Sequence, residues 1–343
     1  MTTTLAPSPS FGTPASPSVS SATFHTVQRR LAALIPDAET VAQGGALELS
    51  GLFAQEKPRL DPPELLEDKT FRARRVEGEA TVRFSAFLDG TQSSRVAQYV
   101  GGVPIVHATV AAVIRTRHER RMATWNTPLV RRRLYAPLSL LTSAVCDALG
   151  ASGADLFDTT AERTLESIHP FAVQEAAFQA VQRDRAALER ELGEAWCSQS
   201  DTLLFIDGGI SDSALVATSP TVVGVVKSHR QLYVHGDDLG VILRLKAGER
   251  SSVCRVAPRG RSPVASWYLR LRAATGHDPL WGLVRVEIAA PAARTSTKRL
   301  AERADEVSRW ILAEALPLSV PDARWDKMVY PIRDCEEFLR SIQ

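Results

Sequence analysis

The sequence predicts an α/β fold, a mixed sheet flanked by helices, with additional strands and helices toward the C-terminus. Three observations predict it. Two apolar runs each end in an acid followed by glycine, 82-VRFSAFLDGTQSS-94 and 201-DTLLFIDGGISDS-213. Gly101-Gly102 separates β-branched runs as a hairpin turn does. A long stretch of good helix formers, residues 171–196, precedes the second acid run.

The elements follow in chain order. Residues 1–22 are Ser/Thr/Pro-rich and carry no charged side chain, so they bury too little to offset ordering entropy and are expected to form a disordered tail. Phe24–Ile35 sets Val27, Leu31 and Leu34 at helical spacing, and a Pro-punctuated connection runs to about residue 70. Val82–Leu88 alternates and ends at Asp89; with Val96–Val100 and Val103–Thr116 it makes three sequential antiparallel strands over 82–116. Residues 117–200 read as helical, through Leu134, Leu138, Leu141 and Val145 to Gly150, then a segment opening AERTLESIHP, then the helix 171–196. Strand 203–206 delivers Asp207, and strand 221–230 carries Lys227 at its end. Val241–Leu245, Ser252–Val256, Ser266–Leu271 and Leu283–Ile288 are predicted strands. A helix from Ser296 closed by Pro317, an extended Tyr-Pro segment and a short terminal helix complete the chain. Residues 23–343 form one domain in this scheme, with its core at about 80–230.

Composition excludes more than it assigns. The 343 residues are 44% hydrophobic and 23% charged, an ordinary globular balance, and the net charge of +2 does not announce a nucleic-acid binder. The four cysteines, at 146, 197, 254 and 335, form no CxxC pair or zinc spacing and read as reduced thiols. No apolar run reaches membrane-spanning length, and the N-terminus lacks the order of a secretory signal. A cytoplasmic protein is the expectation.

Three antiparallel strands, helices, then a strand returning parallel beside the first is the opening of an RNase H-like fold. In that topology Asp89 and Asp207, 118 residues apart, converge at neighbouring strands. Carboxylates and water suit Mg²⁺ or Mn²⁺, and such ions promote phosphodiester cleavage. A third acid comes from a packed helix: Glu189 is the first choice, with Glu175, Glu191 and Glu194 as competitors. Each Asp-Gly pair is also a common turn signal, and any helical Glu is often only solvated surface. Lys227 is placed to neutralise phosphate charge, or is a surface lysine. Arg131, Arg132, Arg133 and Arg285 are candidate DNA contacts, as are the clusters at 115–121 and 259–261; against this, charge runs are commonly solvated faces, and Arg285 is two residues from Glu287, a salt-bridge spacing. Trp125, Tyr135 and Trp267 could stack on bases, but core packing is their ordinary role.

In the order of these motifs the chain resembles the NurA family of nucleases, partners of the HerA-type hexameric DNA translocase, over roughly residues 80–343. The resemblance rests on FLDGTQSS, on RAALE before LLFIDGG, on VVGVVKSH, on LVRVEI and on VYPIRDCEE. It implies Mn²⁺ as cofactor, a homodimer, and single-strand endonuclease and 5′–3′ exonuclease activity on single-stranded and duplex DNA ends during resection for recombinational repair. Carried over by position, Asp89, Glu189 and Asp207 hold metal, Lys227 lies near the scissile phosphate, and Tyr330 is the tyrosine of the C-terminal motif. Where the family commonly has a His after the Tyr-Pro segment this chain has Cys335-Glu336. Glu336 is the candidate replacement ligand, and a shifted register is the alternative. Two other functions compete: a non-catalytic adaptor guiding DNA to a translocase, and a sugar-kinase or actin-like ATPase. Against the ATPase, glycine follows each aspartate directly, and no adenosine-binding glycine motif stands near the C-terminus.

Overall fold

A computed structural model describes residues 23–40, 63–119, 121–161, 169–228, 232–291, 296–315 and 329–343. The expected tail at 1–22, most of the 36–70 connection, most of the AERTLESIHP segment and Pro317 lie outside the described residues.

The elements are α1 (Phe24–Leu34), β1 (Glu39–Thr40), β2 (Glu64–Leu65), β3 (Ala73–Arg75), β4 (Ala86–Val100), β5 (Val103–His118), β6 (Arg121–Ala136), α2 (Ser143–Ala151), β7 (Asp155–Asp158), α3 (Pro170–Gln199), β8 (Leu204–Ile206), α4 (Ala214–Thr218), β9 (Val222–Val226), α5 (Gly236–Leu243), β10 (Glu249–Ser251), β11 (Cys254–Val256), β12 (Val264–Arg270), β13 (Leu283–Ala289), α6 (Thr297–Glu314) and α7 (Tyr330–Ile342). They build one mixed sheet in the order β2-β11-β12-β13-β9-β8-β4-β5-β6-β7, flanked by helices. Among the described residues no helix is long and apolar enough to cross a membrane.

The Gly101-Gly102 hairpin forms as expected. Both glycines have positive φ, 55° and 81°, which the tight turn requires and a Cβ would resist. Its arms are longer than the sequence suggests. Val96–Val100 is not a separate strand but the far half of β4, kinked by a register shift between Val96 and Gln98. The third antiparallel strand is β6, inside the region read as helical. Its burial alternates weakly, and it carries Asn126 at φ 53° and Pro128 where the pairing with β5 slips. Pro is tolerated at such a break because no ladder hydrogen bond is lost there.

Val241–Leu245 is a correction as well: its first three residues end helix α5, whose first turn holds Asp237 and Asp238. The Tyr-Pro segment is not extended but opens α7, with Pro331 in the first turn, where its missing N–H costs nothing. Ser252–Val256 resolves into the end of β10's connection and β11, and β7 is an unforeseen strand parallel to β6.

Alternation along β4 divides the core. Ala86 and Leu88 join Val181, Leu188, Leu192 and Trp196 of α3 on one face. Phe87 joins Phe205, Val223 and Val225 with Val307 and Ile311 of α6 and Ile332 and Leu339 of α7 on the other. Each such side chain contributes on the order of 2 kcal/mol when fully buried. α1 covers the far end of the hairpin, burying Val27 and Leu31 against Ala97, Ile105 and Leu134, while Leu34 points to solvent. Trp267 and Tyr135 are core residues: the indole donates to Ser308 at 3.0 Å and the phenol to Asp184 at 2.5 Å. Trp125 packs edge-on against Trp196.

Candidate functional site

β8 pairs in parallel with β4 through Leu204–Ile206 against Ala86–Leu88, and ends there. The next residue on each strand is an aspartate. Asp207 N–H donates to Leu88 O at 3.0 Å, so the two acids sit side by side at the fork where β8 stops and β4 continues. Asp89 is buried mid-strand, and one of its oxygens accepts the Gly90 N–H at 2.8 Å. The Asp89-Gly90 pair is therefore not a turn.

Glu189 closes the site from α3. A Cβ on Gly90 would fall 2.9 Å from both Cγ and Cδ of Glu189, so the glutamate lies directly on the glycine. Of the other candidate acids on α3, Glu191 is exposed and Glu175 accepts from Gln179 four residues along the helix. Arg185, one turn before Glu189, donates to Gly90 O at 3.2 Å and stands 3.2 Å from the Glu189 carboxylate. From the opposite helix, α7, comes Glu336, whose charge acts on Asp89. Beside it Cys335 is fully buried with its Sγ donating to Phe87 O.

Electrostatics mark the cluster as unusual. Burial drives the Asp89 carboxyl well above the carboxylate range; Asp207 pushes it further, Lys227 opposes, and Glu189 and Glu336 add to the rise. Burial likewise lifts Glu189 to about 7, against the pull of Arg185 and with added pressure from Asp207 and Asp212. Lys227, just past β9, pairs with Asp207 at 2.8 Å.

The loop after Asp207 is held at several points. Gly208 N–H donates to Val225 O, Ile210 N–H to a Glu287 oxygen at 2.9 Å, and Ser262 N–H to Ser211 O at 2.9 Å. Gly224 is needed there, because a Cβ would come within 2.7 Å of Gly208 O. Glu287 is in turn gripped by Arg285 at 2.8 Å.

The predicted site residues thus separate. Asp89, Asp207, Glu189 and Lys227 are brought together, and the charge of Glu336 reaches Asp89 from α7. Tyr330 is the first residue of α7, six residues and some 240° around the helix from Glu336. The proposed DNA-binding arginines are engaged within the chain. Arg131 and Arg133 pair with Asp184 at 2.8 Å, Arg132 reaches the carbonyls of Ile342 and Gln343, and Arg285 braces Glu287. Sequence reasoning missed Arg185 and the supporting role of Glu287. The i, i+4 spacing of Arg185 to Glu189 was the one available signal.

Compared with known proteins, the chain matches no family model and no curated sequence.

As a metal-ligand set, the cluster offers hard carboxylate oxygens, and the buried Glu189 Oε1 accepts no hydrogen bond, its neighbour being the Arg185 guanidinium at 3.2 Å. Among the described residues no three His, Cys, Asp or Glu side chains are already drawn together around one point. The donor chemistry fits an oxygen-seeking divalent cation, which would relieve the mutual repulsion that burial enforces and would draw the acids closer.

Proposed function

We propose that this chain is a divalent-metal-dependent DNA nuclease of the NurA kind, with an RNase H-like core, acting beside a HerA-type translocase at DNA ends. The observation that carries the proposal is the side-by-side placement of Asp89 and Asp207 at the β4–β8 fork, with Glu189 of α3 lying on Gly90 and Lys227 paired to Asp207. The strand order β6-β5-β4-β8-β9, with only the last two joins parallel, supports the core assignment. So do the helix pressed on the first acid strand and the lysine after β9.

Asp89, Asp207, Glu189 and Glu336 would hold Mn²⁺ or Mg²⁺. Bound there, the ion supplies positive charge for a phosphodiester and for the oxygens entering and leaving it. The chain's own residues do the rest. Arg185 fixes Glu189 against the Gly90 backbone. The braced 207–211 loop holds Asp207 in register with Asp89. Lys227, paired with Asp207 and part-exposed at the edge of the acids, would supply a positive charge for a phosphate oxygen.

The competing reading is a protein that guides DNA without cutting it. The test is cleavage of labelled single-stranded and duplex DNA by the purified chain with Mn²⁺, Mg²⁺ or EDTA, alone and with a HerA-type translocase. Metal-dependent cleavage lost in Asp207→Asn supports the nuclease. DNA binding without cleavage under every condition leaves the adaptor.

A further inference from the structure

The turn joining β11 to β12, residues 257–263, lies against the loop that carries Asp207. Ser262 N–H donates to Ser211 O, and Arg261 Nε pairs with Asp212 Oδ1 at 2.8 Å. Asp212 is five residues from Asp207, and its charge reaches Glu189. Arg259 and Arg261 are both exposed, on either side of Gly260, whose φ of 73° makes the turn. The turn therefore presents arginine at the margin of the acid cluster, on an element tied to the cluster's own backbone.

The Arg261–Asp212 pair differs from the other arginine pairs near the site. Arg131 and Arg133 share a largely buried Asp184, and Arg285 holds a Glu287 that is 3% exposed. In the Arg261–Asp212 pair both side chains are 47% exposed. An ion pair in that much solvent is held weakly, and its arginine exchanges partners at little cost. A phosphodiester offers the same guanidinium two oxygens in a matching fork geometry.

We propose that the 257–263 turn is a rim for the nucleic-acid backbone, with Arg261 exchanging Asp212 for a phosphate of the bound strand. The inference rests on the nuclease reading and adds to it a contact outside the acid cluster. Asp212 then serves as an internal competitor: it keeps Arg261 directed at the site when no strand is present, and it weakens binding by as much as the exchange costs.

The experiment is fluorescence anisotropy of labelled oligo(dT) with the full chain, in Ca²⁺ in place of Mn²⁺, across a salt series. Arg261→Gln is expected to weaken binding about 3- to 10-fold and to reduce the slope of log K against log salt by about 0.7, one phosphate's share for a single strand. Asp212→Asn is expected to tighten binding about 3-fold, and only while Arg261 is present; the double variant should bind like Arg261→Gln. Unchanged affinity and slope in Arg261→Gln overturn the proposal. Equal tightening by Asp212→Asn with and without Arg261 overturns it too, because the aspartate then acts only as a distant negative charge. Failure of the unaltered chain to bind the oligonucleotide at any salt overturns the nuclease reading along with it.

Discussion

Replacing Lys227 by Met separates a structural lysine from one that stands in for a cation. Its ammonium is 2.8 Å from Asp207, with the two side chains 25% and 17% exposed. Two unit charges at that distance attract by roughly 6 kcal/mol at an effective dielectric constant of about 20. Desolvation cancels most of this, and a charge-assisted hydrogen bond of this kind nets about 2 kcal/mol. The variant should lose about that much stability in EDTA, because Asp207 is left facing Asp89 and Glu189 without its counter-charge. Added Mn²⁺ should restore most of the loss. At about 100 times its Kd an ion that binds only the folded state adds about 2.7 kcal/mol. Removing the lysine also removes a competitor for Asp207, so Mn²⁺ should bind several-fold tighter. Cleavage should nevertheless fall by about two orders of magnitude, the scale of a lost transition-state donor. Thermal melts with and without Mn²⁺, a Mn²⁺ titration followed by electron paramagnetic resonance, and DNA cleavage give the three readouts. An equal loss of stability with and without Mn²⁺, together with unchanged ion affinity, would refute the reasoning and make Lys227 an ordinary ion-pair partner.

Other substitutions probe the supports of the site. Gly90→Ala must displace Glu189, whose Cγ and Cδ lie 2.9 Å from the new methyl position; cleavage should fall at least 100-fold for a stability loss of about 1–3 kcal/mol in urea unfolding. Glu287→Ala leaves the Ile210 amide and Arg285 without their acceptor, so activity should drop with the fold retained, while Glu287→Gln, which can still accept from Ile210, should recover much of it. Asp184→Asn takes charge from a site serving Arg131, Arg133 and Tyr135; it should cost about 3 kcal/mol in stability and leave oligonucleotide affinity unchanged. His107 is buried among Arg132, Arg95 and Phe24, and burial, with the charges of Arg132 and Arg95, lowers its pKa from 6.5 to about 4. The unfolded chain binds the proton that the folded histidine refuses, so this stabilisation is complete above pH 6.5 and is lost as pH falls toward about 4. The loss amounts to about 3 kcal/mol, and melting curves of His107→Gln should lack that part of the acid dependence.

How much of this could be read from residue order depends on what each residue's neighbours are. β8 and β9 are legible because strands buried on both faces are apolar throughout, β13 because Arg285 and Glu287 alternate with apolar residues, and α3 because its length and propensity leave no rival. β6 is illegible as a strand: its Arg, Thr, Asn and Pro residues face partly into solvent, and the spacing of Leu134, Leu138 and Leu141 imitates a helix that the chain does not form. VILRL at the end of α5 is too short a run for its period to be told from a strand's, although Asp237 and Asp238 at the helix start were a usable signal. Asp89 and Asp207 stand out in the sequence because a carboxylate breaks the apolar pattern of each run. The partners of the arginines could not be read from their order, because consecutive residues on a strand point to opposite faces. Arg131 and Arg133 turn to Asp184 on α3 and Arg132 turns to the end of α7, partners that only the tertiary arrangement supplies.

The four carboxylates come from segments spread between positions 89 and 336, so none of their repulsion exists in the unfolded chain. It arises as the long-range contacts form, and part of it comes with α7, the last described element in sequence, whose Glu336 acts on Asp89. The apolar drive of Ile332, Cys335 and Leu339 therefore works against a negative charge at the moment of docking. A divalent cation held by the acids would remove that opposition, so it would favour the docked state of α7 over the undocked one.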